Sequence, residues 1–228
     1  MKILQAIEAD FEESISRSSD ETREIRMDNF NEFKKLGIPT SKQEFWKFTN
    51  PSIIKDFEFT LGLSKDYDDK KYDIVLVNGK LTKKNDDIKI NNIHESLAEK
   101  KISNEIFGIT NNPFINLNNA FSTEGCVLSF KDNVEKEISI LNVIDNTTSK
   151  QITHPRIIIN VGKNSNISIL EKTRFLGNKE NLVNSVTNFN LDEGSKVEHI
   201  LIDDYSENTY QISNVLVKQK RDSNFSSY

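Results

Sequence analysis

The chain has 228 residues with 30 Lys and Arg, 35 Asp and Glu, and a formal net charge of −5. Its length allows one large domain or two small ones. The acidic balance argues against a non-specific nucleic-acid binder, which would present a basic surface. The only cysteine, Cys126, excludes an intramolecular disulfide and a cysteine-clustered metal site within one chain, and it favours a reducing compartment.

The N-terminal residues predict no signal peptide. Residues 1–10 lack a long apolar stretch, and the segment becomes acidic from Glu8 to Glu13. No run approaches the roughly 20 apolar residues that a membrane-spanning helix needs. We therefore predict a soluble cytoplasmic protein that binds neither membranes nor nucleic acid.

Two amphipathic helices are predicted at the start of the chain. The first buries a stripe that recurs every four residues: Ile3, Ile7, Phe11 and Ile15. A capping box of Ser18 and Glu21 opens the second, and Gly37 and Pro39 end it. We expect its inward residues to be Ile25, Met27, Phe30, Phe33 and Leu36.

A short third helix is predicted after Thr40 or Ser41, either of which can cap it. It carries Phe45, Trp46 and Phe48 and ends at Asn50 and Pro51. Because large aromatic rings bury much apolar area, we expect this cluster to pack in the core rather than to bind a ligand.

The charged stretch from Ser64 to Lys71 is predicted to be an exposed loop. It contains three aspartates, Asp66, Asp68 and Asp69, but it lacks the glycine and the distal glutamate of a calcium-binding EF-hand loop. A small hairpin follows. Its strand at 73–77 and its returning strand at 80–81 flank the tight turn Asn78-Gly79.

A short helix over 93–101 and a clearer one from Pro113 are predicted next. Asn112 caps the latter, which places Phe114, Leu117 and Phe121 on one face and ends at Gly125. The change from helix to strand patterns falls between residues 110 and 125. We therefore divide the chain into a helical N-terminal region with a small hairpin, 1–115, and a β region, 116–228.

From Gly125 to Ser223 the chain is rich in short apolar segments separated by turn residues. Apolar and polar residues alternate in seven predicted strands: 126–130, 137–144, 156–161, 166–171, 184–191, 196–202 and 211–219. Every second strand starts about 27 to 30 residues after the previous one, which is the spacing of stacked repeats. The pattern favours a solenoid with two principal strands per turn, with an antiparallel sandwich as the alternative.

Few residues in the chain are candidates for chemistry. The histidines are His94, His154 and His199, and none has metal-ligand spacing; we interpret His199 as a core residue with a hydrogen-bond partner and His154 as a turn residue. Cys126 lies in an apolar strand, which indicates inert packing. No nucleotide-binding glycine motif is present, so any ATP would come through a partner. The basic residues Lys218 to Arg221 are interpreted as a solvated strand edge.

Several segments, in order along the chain, resemble the SufD family of iron–sulfur cluster assembly proteins. The strongest runs from Phe33 to Thr49 and is similar to the family pattern F-x-x-x-G-[LI]-P-x-x-[KR]-x-E-x-W-[KR]-[YF]-T. Weaker matches follow at Val77-Asn78-Gly79 with Leu81, at Leu117-Asn118 with Ala120-Phe121 and Gly125, at Pro155-Arg156 before an isoleucine run, and at Arg221-Asp222-Ser223 with Phe225.

The resemblance implies a mainly β protein, with an N-terminal helical region on a right-handed β-helix that is incomplete at its C-terminus. It implies a non-enzymatic scaffold that pairs with a SufB-like paralogue and a SufC-like ATPase, or forms a homodimer in isolation. The iron–sulfur cluster would be held only transiently in the assembled complex. The chain resembles about the first half of the family, so its cluster-associated histidine and its SufC-docking surface would follow Tyr228. Hence no catalytic, cofactor-binding or metal-binding residue is assigned.

Two other hypotheses about the function remain open from the sequence. A β-helical carbohydrate-binding or carbohydrate-cleaving protein would be secreted and would carry carboxylates along one solenoid face, and the missing signal peptide counts against it. A general protein-interaction module would share the scaffold features and differ only in its partners.

Overall fold

The structure, a computed structural model, describes residues 2–16, 20–62, 67–85, 88–98, 104–122, 125–204 and 207–228. Its α-helices are α1 (Lys2–Ser16), α2 (Asp20–Leu36), α3 (Ile93–Ala98) and α4 (Pro113–Phe121), and its 3₁₀ turns are Glu44–Trp46, Pro51–Asp56 and Asn104–Phe107. The strands are β1 (Thr60–Leu61), β2 (Ile74–Val77), β3 (Lys80–Lys83), β4 (Ile90–Asn92), β5 (Cys126–Phe130), β6 (Glu135–Ile144), β7 (Gln151–Thr153), β8 (Arg156–Val161), β9 (Asn166–Phe175), β10 (Asn181–Leu191), β11 (Lys196–Asp203), β12 (Thr209–Gln219) and β13 (Asn224–Ser227).

The strands from β5 onward form a solenoid of about three turns. One sheet stacks β6, β9, β11 and β13, and the other stacks β5, β8, β10 and β12, with each strand parallel to the one a turn later. Lys196, for example, pairs with Asn166 on one side and with Asn224 on the other. This parallel pairing confirms the solenoid and excludes an antiparallel sandwich, whose neighbouring strands run in opposite directions.

The N-terminal strands extend both sheets of the solenoid. β2 adds parallel to β6, and β3 returns antiparallel to β2. β4 pairs with β5, and β1 pairs with β7. The division of the chain at residue 115 stays a prediction. Backbone hydrogen bonds join strands from both sides of it, as in the pairing of β2 with β6.

Two local predictions are confirmed with their expected geometry. Asn78 and Gly79 both have positive φ, 49° and 90°, which is the conformation of a two-residue hairpin turn. At α4, the side chain of Asn112 accepts a hydrogen bond from the Phe114 backbone N–H, with Pro113 in the first turn. The helix that begins at this cap is fully buried and packs against strand β10.

The buried residues form two main layers. We call the first the lumen: the aliphatic side chains that the two sheets enclose, among them Leu128, Ile140, Ile159 and Ile169. The second, the lateral layer, packs α1, α2 and α4 against the outer side of β10 and is rich in phenylalanine, including Phe11, Phe30, Phe33 and Phe114. Helix α1 buries the predicted stripe of Ile3, Ile7, Phe11 and Ile15.

The predicted inner face of α2 is wrong at one position. Phe30 and Phe33 are buried, but Met27 is 42% exposed. Two polar side chains, Arg26 and Asn29, are buried instead, because they donate hydrogen bonds to the backbone carbonyls of Ala120 and Phe107. The predicted cap Ser18 lies outside the described residues, as do residues 99–101 at the end of the third predicted helix.

The predicted burial of the aromatic cluster after Thr40 is also wrong. Phe45 and Phe48 are each 94% exposed, and only Trp46 packs inward, edge-on to Phe114 at 5.5 Å between ring centroids. The segment forms a single 3₁₀ turn, Glu44–Trp46, rather than an α-helix. A turn this short directs only one of the three aromatic side chains inward, and Phe45 and Phe48 remain in solvent.

Among the described helices, none is long and apolar enough to cross a membrane.

Candidate functional site

The lumen changes character along the strands. Its first half is lined by aliphatic side chains. Further along, inward positions carry polar residues from both sheets, which we call the polar lane: Asn142, Glu171, Thr173, Ser185, Thr187, His199, Gln211 and Ser213. Buried polar side chains require partners, so this half of the lumen is the place to look for function.

Glu171 is the central residue of the polar lane and is 4% exposed. Asn142 Nδ2 donates to its Oε1 at 2.8 Å, and the Thr187 hydroxyl donates to its Oε2 at 3.3 Å. The Nε2 atom of His199 lies 3.1 Å from the same Oε2. Three donors from three strands therefore surround the carboxyl group, so both of its oxygens are hydrogen-bonded although the residue is buried.

His199 marks the border between the two halves of the lumen. It is fully buried, and its ring lies 5.0 Å from that of Phe189 between centroids. Its Nε2 faces the Glu171 carboxylate and its Nδ1 lies 3.1 Å from the Ser227 hydroxyl. Because a carboxylate only accepts, Nε2–H donates to Glu171, and Nδ1 is within hydrogen-bond distance of the Ser227 hydroxyl. The prediction of a core histidine with a partner is confirmed.

A cavity of about 10 Å³ lies beside Glu171 in the polar lane. Asn142, Thr187, Gln211 and Asn214 are among the residues that line it. Among the described residues, Asn142 Oδ1, Gln211 Oε1 and Asn214 Nδ2 have no hydrogen-bond partner. The space is that of about one water molecule, and its lining residues Asn142 and Gln211 have oxygens that lack a partner. The side chain of Asn214 lies on the opposite face of β12, where its Oδ1 accepts from Asn112.

The other two candidates are held in apolar surroundings. His154 is 7% exposed and stacks on Phe121 with 4.6 Å between ring centroids, and burial lowers its pKa from 6.5 to about 3. The prediction of a turn residue is wrong, because β7 and β8 pair with β10 in one continuous register on either side of His154. The residue is buried in line with these strands and stays neutral at physiological pH. Cys126 is fully buried, and burial raises the pKa of its thiol well above the ordinary value, so it is the inert packing residue that its strand indicates.

The acidic loop and the basic edge are surface features. Asp69 accepts from the Lys71 backbone N–H and from Arg174, and these contacts lower its pKa. Asp68 pairs with Lys83, while Asp66 lies outside the described residues. Lys218 to Arg221 are exposed at the end of β12, as predicted. His94 lies in α3, and its side chain is outside the described part. Within that part, no cluster of three or more His, Cys, Asp or Glu side chains could hold a metal ion.

Sequence analysis assigned no role to Glu171, Asn142 or Gln211. A signal for Glu171 is present in the alternation of β9, where Ile167, Ile169 and Glu171 occupy successive inward positions. A charged residue at an inward position of a strand is unusual, so the sequence pattern could have indicated Glu171 as a candidate functional residue. The pattern does not indicate Asn142 or Gln211, since neutral polar residues are common on either face of a strand.

Comparison with known proteins agrees with this architecture. Residues 143–228, from the end of β6 to β13, match the family model "SUF system FeS cluster assembly, SufBD core domain". The "Iron-sulfur cluster assembly protein SufD" of Plasmodium berghei (strain Anka) is 31% identical over 99 residues, and the protein of the same name from Plasmodium falciparum (isolate 3D7) is 33% identical over 97 residues. Each alignment covers 42% of this chain, and the chain matches about 7% of the length of either relative. The resemblance indicated by the motifs is thereby confirmed: the chain is similar to SufD proteins over 42% of its length, and its residues 143–228 match the SufBD core domain.

Proposed function

We propose that this chain acts as a non-enzymatic scaffold in iron–sulfur cluster assembly, pairing with a SufB-like paralogue and recruiting a SufC-like ATPase. The observation that carries the proposal is the match of residues 143–228 to the SufBD core domain, over the same strands that stack as the solenoid. The cytoplasmic location and the absence of a resident cofactor belong to the same proposal, in which the cluster is cargo that the assembled complex holds.

The shape of the solenoid supports an assembly role. Stacked parallel strands present long, regular surfaces, and solenoid proteins use such surfaces to bind partners.

The test is co-expression of the chain, in the form that its gene encodes, with the SufB-like and SufC-like proteins of the same organism. Anaerobic affinity purification through a tag on this chain should recover the SufB-like paralogue in a stoichiometric complex. Light scattering then gives the mass of the complex and separates it from a homodimer of the chain alone. Recovery of neither partner would refute the scaffold role.

A further inference from the structure

We propose that Asn78 is a site of covalent modification: the backbone nitrogen of Gly79 displaces its side-chain amide, and the loss of this amide opens the contact between the β2–β3 hairpin and the segment 145–151. The reactants are this chain and one water molecule. The modification therefore occurs whether or not the chain assembles with partners.

Asn78-Gly79 is the one Asn-Gly pair in the sequence. Because glycine has no side chain, the Gly79 nitrogen is unhindered as a nucleophile. It loses its proton and forms a bond to Cγ of Asn78, and the Cγ–Nδ2 bond breaks as ammonia leaves. Water then opens the resulting five-membered imide at either carbonyl carbon. The result is deamidation to aspartate or isoaspartate, with no change in oxidation state.

The fold holds the Asn78 side chain away from this reaction. Its Oδ1 accepts from the Asp145 backbone N–H at 2.9 Å and from Gln151 Nε2 at 3.2 Å, and its Nδ2 donates to the Asp145 carbonyl at 3.3 Å. Gln151 is itself buried, at 2% exposure. To close the imide ring, the side chain must fold back onto its own backbone, which it cannot do while these hydrogen bonds persist.

The backbone of the turn is held as well. The Asn78 N–H donates to the Val143 carbonyl at 2.9 Å. Gly79 is buried with a φ of 90°, and a Cβ at its position would lie 3.3 Å from Pro155 Cα. The turn therefore cannot rearrange without separating from Pro155, so deamidation requires a local opening of the hairpin.

Either product prevents the hairpin from closing again. A carboxylate has no N–H, so the Asp145 carbonyl loses its donor and faces a negatively charged oxygen. Isoaspartate also adds one carbon atom to the main chain between Val77 and Lys80, which pair across the two-residue turn. Because the ammonia is lost, the change is irreversible. It loosens β2, the strand that extends the sheet beside β6.

The test measures deamidation in the tryptic peptide 72–80, which cleavage after Lys71 and Lys80 releases and in which Asn78 is the one asparagine. Mass spectrometry follows this peptide while the purified chain is incubated at mildly alkaline pH. The same chain unfolded in urea and the free peptide 72–80 are incubated in parallel. We expect the native chain to react at least tenfold more slowly than either. Equal rates would overturn the proposal.

A matched pair of variants tests the role of the hydrogen bonds, with circular dichroism to show that each is folded before incubation. Gln151→Met keeps the length of the side chain but removes its amide, and it should speed deamidation of the native chain at least threefold. Gln5→Met makes the same change at an exposed position of α1 and should leave the rate unchanged. Asn78→Asp reproduces one product and should lower the melting temperature. Equal rates in the two glutamine variants, or an unchanged melting temperature in Asn78→Asp, would overturn the proposal.

Discussion

The lumen and the lateral layer are both closely packed, but they are built by different rules. The lumen stacks rows of apolar side chains, such as Leu128, Ile159 and Phe189, at the same register position in successive turns. The lateral layer joins helices to the outside of β10 with aromatic rings and with buried Asn and Arg side chains that bond to backbone carbonyls. Strands that stack in a repeated register need only apolar side chains at their alternate, inward positions. An irregular contact between helices and a sheet also needs hydrogen bonds between specific groups.

Arg156 shows this difference most clearly. It begins β8, is fully buried, and is held in the lateral layer by Asn118 Oδ1 at 3.1 Å, Asn119 Oδ1 at 2.7 Å and the Ile106 carbonyl at 3.1 Å. Its guanidinium also lies 5.1 Å from the centre of the Phe107 ring. Burial lowers its pKa to about 9. The side chain therefore links α4 and the 104–107 turn to the solenoid.

The largest expected effect follows from removing this link. Arg156→Ala should lower the free energy of unfolding by about 3 kcal/mol or more, because it leaves a cavity and buried acceptors without donors. Urea denaturation measures the loss. The matched control is Arg221→Ala, whose side chain is 86% exposed and which should change stability by less than about 0.5 kcal/mol. Similar values for both variants would contradict the role of Arg156 in the lateral layer.

The second effect is a dependence of stability on pH. The unfolded chain binds a proton at His154 below pH 6.5, but the folded protein does so only near pH 3. The contribution of His154 to stability is therefore complete above pH 6.5 and is lost as the pH falls, by about 1.4 kcal/mol per pH unit midway between the two pKa values.

Urea titrations at several pH values between 7 and 4 check this prediction. Other acidic groups also contribute to the slope, so the comparison is with His154→Phe, which keeps a ring against Phe121. The variant should lose less stability than the unmodified chain over the same range. Identical slopes would contradict the prediction.

A third, smaller effect concerns the aromatic residues Phe45, Trp46 and Phe48, which should differ in how much they contribute to stability. Trp46 is half-buried against Phe114, so Trp46→Ala should cost about 1 to 2 kcal/mol rather than the larger loss of a fully buried tryptophan. Phe45→Ala and Phe48→Ala remove exposed rings and should each change the free energy of unfolding by less than about 0.5 kcal/mol. Thermal or urea unfolding of the three variants measures this order, and equal losses would refute it.

The smallest expected effect tests the uniformity of the lumen. Ile159→Val on β8 and Ile169→Val on β9 each delete one methylene from fully enclosed positions on opposite sheets. Each should cost about 1 kcal/mol, because the lumen packs both rows in the same way. A difference of more than about 1 kcal/mol between them in urea denaturation would show that the two sheets do not share one core.

The sequence predicted regular elements well where one local pattern repeats. Strands β5 and β8 begin and end at the predicted residues, and the others are extended by one to four residues at an end. The short strands β7 and β13 were not predicted. β7 has only three residues, and His154 and Pro155 separate it from β8, although both strands pair with β10 in the same register. β13, Asn224–Ser227, is mostly polar and pairs with β11 in register. Neither has enough alternation to be recognised alone.

The sequence by itself determined the alternation of apolar residues, the repeat near 30 residues, the hairpin turn at Asn78-Gly79 and the cap at Asn112, because each depends on residues close in the chain. Only the tertiary structure decided that Phe45 is exposed, that Arg156 is buried, and that Glu171 meets His199 and Asn142. These outcomes depend on residues about 30 or more positions apart, which the stacking of turns brings together. Local pattern specifies which face of a strand is apolar, but the register between turns specifies which polar side chains share that face.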